Sequence, residues 1–227
     1  MANTKNQKQA APTMEESLNK SEAFFLKYKK AIIGAVVAVI VIIAGAVLYK
    51  TYISEPNEQK ASTAIAKGQD LFAQGQYEKA LNGDSLNYKG FVKLASEYSS
   101  TDAGNLANLY AGLCCAQLNK WEDAVKYLEQ YDGADDQMVS PSAEAALGNA
   151  YAHLNQLDKA VSHLKKAAEM ADNNALSPTF LIQAGEILES QGKKDEALKL
   201  YQEVKDKYFQ SMQYQTIDAY IERVSAK

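Results

Sequence analysis

Hydrophobic and polar positions divide the chain into two unlike stretches. From Ala31 to Leu48 eighteen consecutive residues are apolar or small, AIIGAVVAVIVIIAGAVL. As a helix this run reaches about 27 Å, close to the hydrocarbon thickness of a bilayer. Lys27, Tyr28, Lys29 and Lys30 precede it, and Tyr49, Lys50 and Tyr52 follow it, which sets amines and amphipathic rings where lipid headgroups sit. The pattern predicts one transmembrane helix over 31–49. A cleaved signal peptide competes with that reading, because Ala44-Gly45-Ala46 looks like a small-residue cleavage site. The long, mixed-charge region before the run and the length of the run itself oppose cleavage. A buried core helix is the third reading. Residues 1–30 read as a polar cytoplasmic tail, mobile over 1–20, and the apolar spacing from Met14 to Tyr28 is too irregular to predict a helix. Residues 50–60 read as a linker, with Glu55-Pro56 breaking the helix or starting the linker.

Beyond Pro56 the apolar positions recur with a helical period, and the period itself recurs. Gly112, Gly148 and Gly185 stand 36 and 37 residues apart, and Ala124, Ala160 and Ala197 keep the same intervals. Gly68 and Ala80 preserve the twelve-residue distance from glycine to alanine but lie 44 residues upstream of the next pair. A first unit therefore carries an insertion, placed at NGDSLNYKG, residues 82–90. Gly in a first helix lets a second helix approach closely, and Ala in the second gives a small knob at the crossing. Trp121, Tyr151 and Tyr201 are expected to fill the space around those contacts. Asn119-Lys120-Trp121, Asn155-Gln156-Leu157 and Gln191-Gly192-Lys193 read as the turns between paired helices. Ser140-Pro141 and Ser177-Pro178 read as a Ser cap with Pro in the first turn.

Within Pro141–Asn174 the residues Leu147-Gly148, Tyr151, Ala160, Leu164 and Ala167 stand at the spacings of a tetratricopeptide repeat, and the segment resembles that family. The windows 105–136 and 178–211 repeat the pattern, and 61–100 repeats it with the insertion. The resemblance implies an all-α fold, a tetratricopeptide α-solenoid in which four helix-turn-helix units stack into a right-handed superhelix behind the one transmembrane helix. Residues 212–227, with Ile217, Tyr220, Ile221 and Val224 at helical spacing, are expected to close the stack as a capping helix.

Charge refines this picture. The net charge of −4 conceals six Lys against three Glu in residues 1–30 and 18 basic against 25 acidic groups in 49–227. The acidic balance of the larger part argues against nucleic acid as a partner. Lys27, Lys29 and Lys30 mark the cytoplasmic side of the membrane. That places the N-terminus in the cytoplasm and the repeats on the far side of the membrane in a single-pass protein.

Candidate chemistry is sparse. The chain has two Cys and two His, and no phosphate loop, G-x-S-x-G, H-E-x-x-H or metal-type Cys spacing. No enzymatic activity, cofactor or metal is expected. Cys114 and Cys115 are adjacent on a helix, where a bond between them would break the backbone, so buried thiols are expected. His153 and His163 lie on antiparallel helices and should not meet. Asp135-Asp136 and Asp172-Asn173-Asn174 follow second helices, where such residues serve turns and helix ends better than calcium.

What a stack of this kind offers is a concave face lined by its first helices. Carrying the repeat pattern over, the partner-binding groove is expected to comprise Ile65, Gln69 and Phe72, then Leu109, Leu113 and Gln117, then Ala145, Asn149 and His153, then Ile182 and Glu186. Family members that clamp a chaperone's C-terminal carboxylate use Lys, Arg and two Asn there. Only Asn149 matches, while Ile65, Leu109, Ala145 and Ile182 stand at the lysine position, so an apolar extended or helical segment is the expected ligand. The alternative is that these side chains pack on a neighbouring helix.

A short tail, one membrane helix and an exported domain of about four such repeats resemble the ancillary Sec translocon subunit family of bacterial inner membranes. That resemblance implies a bacterial inner-membrane protein with its repeats in the periplasm, and proteins as partners, at the secretion channel and with an envelope chaperone or exported chains. The function read from the sequence is a membrane-anchored protein-interaction module accessory to secretion or envelope chaperoning. A structural adaptor in division or outer-membrane assembly is the alternative.

Overall fold

The computed structural model describes residues 14–84 and 88–226. Of the expected cytoplasmic tail, residues 1–13 lie outside that range, as do residues 85–87 of the insertion. Contacts divide the chain into two units, residues 1–55 and 56–227.

The first unit holds helix α1, Met14–Tyr49, followed by a π-helical segment at Lys50–Ser54. Two expectations need correction here. Met14–Lys20 is helical, where no helix was expected. The linker over 50–60 is also helical throughout, because α2 starts at Glu55 and runs to Ala73 with Pro56 in its first turn. Proline lacks an N–H and crowds the carbonyl four residues back, and the wider π turn just upstream is where the backbone takes up that mismatch. The large apolar side chains from Ile33 to Leu48 are exposed. By length and composition alone, the helix that contains them could cross a membrane.

In the second unit α2 is followed by α3 (Tyr77–Asn82), α4 (Phe91–Glu97), α5 (Asp102–Gln117), α6 (Trp121–Leu128), α7 (Val139–His153), α8 (Leu157–Ala171), α9 (Ser177–Ser190) and α10 (Lys194–Lys207). A 3-10 turn at Met212–Gln215 leads into α11, Ile217–Ser225. No strand occurs among the described residues; the insertion carries a single bridge between Asp84 and Tyr88. Paired helices α5 with α6, α7 with α8 and α9 with α10 pack together, and each pair packs on the next through α4–α5, α6–α7, α8–α9 and α10–α11. The architecture is all-helical and fits an α-solenoid of the tetratricopeptide type.

The spaced glycines sit where paired helices touch. A Cβ on Gly112 would lie 2.6 Å from Leu128 Cγ, and one on Gly148 would lie 3.0 Å from Leu164 Cγ. On Gly185 it would collide with the Tyr201 ring. In every case the partner stands sixteen residues beyond the glycine. Ala80, Ala124, Ala160 and Ala197 are fully buried.

Turns between paired helices share one device. Gly75, Asn119, Asn155 and Gly192 adopt φ of 73°, 57°, 57° and 74°. The following N–H donates five residues back, as from Gln156 to the Tyr151 carbonyl at 2.9 Å. This is the Schellman closure, which favours Gly or Asn at the left-handed residue.

The Ser caps expected at Ser140 and Ser177 are not there. Asp136 accepts from the N–H groups of Met138, Val139 and Ser140 and so caps α7. Asn173 does the same for α9 through the N–H groups of Ala175 and Leu176. Both serines lie within a few residues downstream and are buried; Ser177 donates instead to the Ala168 carbonyl at 2.8 Å. The first helices begin earlier than the Ser-Pro pairs suggest, which leaves the cap to the residue four positions upstream.

Candidate protein-binding cleft

The residues expected to line the groove fall into three environments. Ile65, Leu109, Ala145 and Ile182 are buried, between 3 and 8% exposed. Gln69, Phe72, Leu113 and Asn149 are half-buried, and Gln117, His153 and Glu186 are exposed. The row at the lysine position therefore packs into the core, the alternative stated for these side chains. All four buried residues stand three positions before a repeat glycine. One residue onward rotates the helix by about 100°, and that row, Tyr110, Ala146 and Gln183, is half-exposed. At this row alone the accessible position is one residue on from the one expected. Phe72 is held in an aromatic cluster, its ring 5.2 Å from Tyr77 and 5.5 Å from Tyr110.

What the structure does bring together is a cleft of about 590 Å³ between α5, α7 and α9. Gln117, Asn149 and His153, expected on this face, line it alongside Trp121 and Gln183. The Schellman turn at Asn119 ends α5 and launches α6 with Trp121 as its first residue. The indole then stacks face to face on the His153 ring, centroids 3.7 Å apart and planes within 4°. Around this flat aromatic wall stand the carboxamides of Gln117, Asn149 and Gln183. The Gln183 Oε1 atom is buried and accepts no hydrogen bond among the described residues, an arrangement costly to leave unmade. Amides that both donate and accept, set beside a stacked aromatic pair, suit a polypeptide backbone with a flat or apolar side chain. Trp121 packs against the core on one side, as expected from the sequence, and also lines the cleft, which the sequence did not show; Gln183 was passed over. The available signal was that Trp121 follows the turn directly, at the mouth of a helix pair.

Other candidate chemistry resolves into packing. Cys114 and Cys115 are buried free thiols, and burial pushes them up to about 12 and about 11 respectively, so neither is a ready nucleophile. The two histidines stay apart: while His153 meets Trp121, His163 Nδ1 lies 2.8 Å from Glu144 and its ring stacks on Tyr151. The Tyr151 hydroxyl donates to Glu129. Asp136 is held down to about 2 by the Ser140 hydroxyl and the backbone N–H groups it caps. Asp172 occupies a left-handed position after α8 and pairs with Lys207 at 2.8 Å.

Helix pairs stacked in register around a polar and aromatic cleft define a helical-repeat interaction domain. Its family is given by the match of residues 42–217 to the model described as T7SS, ESX-1 secretion system protein EccA1, N-terminal domain; the chain belongs to that family. The resemblance to the ancillary Sec translocon subunit family is thereby corrected, and a Sec channel or its chaperone no longer follows as partner. Topology and repeat layout, on which that resemblance stood, are shared by unrelated repeat proteins. No curated protein matches the chain.

Proposed function

We propose that the chain is a protein-interaction module serving a secretion system. It acts by binding rather than by catalysis, and the cleft between α5, α7 and α9 takes an extended segment of a protein partner. The stacked Trp121–His153 pair beside three carboxamides carries this reading. Residues 31–48 tether it to a membrane in a single pass, with Lys27, Lys29 and Lys30 on the cytoplasmic side. Tethering raises the effective concentration of the cleft toward partners in the same membrane.

A photoreactive probe at Gln117, in intact cells, tests the proposal. Adducts that recur on secretion-apparatus components or on exported proteins, and that disappear with Trp121→Ala, are the expected result. Adducts confined to one stoichiometric partner from a division or outer-membrane assembly machine would favour a structural adaptor instead. No adduct dependent on Trp121 would remove the cleft as the binding site.

A further inference from the structure

Tyr88 and Lys89, at the end of the insertion, play no part in the cleft described above, yet they help to build a second one. A space of about 640 Å³ opens between α2, the insertion and α4. Its floor is apolar, made by Ala64, Leu94 and Tyr98, and its rim carries Lys60, Lys67 and Lys89. No carboxylate lines it among the described residues. Asp84 meets Lys67 at 3.5 Å and Glu97 meets Lys89 at 2.6 Å from beyond the lining. Lys60 makes no ion pair among the described residues and is exposed. Lys67 and Lys89 are thus balanced by carboxylates outside the lining, and Lys60 is the positive charge at the cleft that no carboxylate among the described residues answers.

Register within the stack shows what shape fits there. Thr63 and Lys67 stand five and one residues before Gly68. The same positions are Ala107 and Ala111 in α5, Ala143 and Leu147 in α7, and Phe180 and Ala184 in α9, all of them buried. Those helices are covered by the second helix of the preceding unit, α4 on α5, α6 on α7 and α8 on α9. On α2 the equivalent positions are polar and exposed. The cleft is the berth that each later unit fills with a helix.

We propose that this cleft docks an amphipathic, acidic helix of a partner protein, seated where a preceding unit's second helix would lie. The apolar stripe of that helix covers Ala64 and Leu94, and a carboxylate on it meets Lys60, with the paired Lys67 and Lys89 flanking the contact. The site shares no residue with the cleft at Trp121, so either can fail without the other.

Displayed random peptides of about 20 residues, long enough to form a helix, would be selected on the full chain in detergent. The selected peptides would then be titrated by fluorescence anisotropy against wild type, Lys60→Glu and Thr63→Trp. Both residues are exposed, and a matching circular dichroism melt shows that each variant folds. The expected result is a set of peptides with apolar residues three and four apart and Asp or Glu alongside. Their affinity should fall at least about fivefold with either variant and weaken with added salt. Selected peptides that lack acidic residues, or that bind both variants as wild type does, would overturn the proposal. So would peptides lost with Trp121→Ala but unaffected by Lys60→Glu. If no peptide is selected while anionic vesicles bind through Lys60, or while the chain self-associates through it, the occupant is a lipid surface or a second copy and the proposal fails.

Discussion

The first and third helix pairs solve one packing problem by different chain routes. In the third, α7 and α8 are continuous helices, and Gly148 receives Leu164 sixteen residues on. In the first, the residue sixteen beyond Gly68 is Asp84, which lies in the insertion outside any helix. The helix ends at Asn82 and α4 starts at Phe91, which fills the place opposite Gly68 with Tyr88 beside it. Phe91 is fully buried, stacked on Tyr110 at 5.1 Å, and the Tyr88 hydroxyl donates to the Ala80 carbonyl. The contact between a glycine and a large side chain is thus kept, while the helix that normally delivers it is split in two. What the stack holds fixed is the volume at the crossing, and the connectivity that supplies it is free to vary.

If Phe91 replaces Leu164 in this sense, Phe91→Ala should cost the first pair at least what Leu164→Ala costs the third. Deleting a fully buried Phe destabilises by about 3 to 5 kcal/mol, and a buried Leu by about 2 to 5 kcal/mol. Thermal unfolding of the full chain in detergent, followed by circular dichroism, reads both. A Phe91→Ala melt close to wild type would show that α4 is an appendage and not half of a second helix. Adding volume probes the same contact from the other side. Gly148→Leu forces a side chain against Leu164 and the Ala160 carbonyl, an overpacking worth about 1 to 3 kcal/mol. An unchanged melting temperature would separate Gly148 from the helix crossing.

Much of this was legible in the sequence because the markers are small residues with a single permitted environment. Gly112, Gly148 and Gly185 and the alanines twelve residues beyond them report close approach whatever surrounds them, so the pairs α5–α6, α7–α8 and α9–α10 could be read from spacing. The groove was less legible. Which face of a first helix is open depends on the rotation of each helix against two neighbours, and an error of one position exchanges Ile182 for Gln183. Trp121 was read only in part for a related reason, since an aromatic at the start of a second helix can pack on the core and still present a ring face to His153. Pro56 reads as a break because a proline ordinarily ends a helix, and its accommodation by a π turn leaves no sequence mark. The caps were missed because Ser140 and Ser177 carry the expected residue type, while Asp136 and Asn173, four positions earlier, look like loop.

Those caps allow the smallest and most selective test of how alike the regular pairs are. The third pair is capped by a carboxylate at Asp136, and the fourth by a carboxamide at Asn173, which has no charge to lose. Asp136 is held down to about 2 by the Ser140 hydroxyl and by the N–H groups of Met138, Val139 and Ser140, against about 3.9 for an unfolded Asp. A depressed carboxyl stabilises the fold fully above its unfolded value, and that contribution is lost as pH falls through about 2. Other paired carboxylates, such as Glu189 with Arg223, are depressed as well, so acid lowers the melting temperature of wild type and variant alike. Asp136→Asn gives the third pair the cap of the fourth and isolates the difference. Its melting temperature should match wild type to within a few degrees at neutral pH and fall less steeply between pH 4 and 2. Parallel curves across that window would mean that the carboxylate caps α7 no better in its charged form than an amide does.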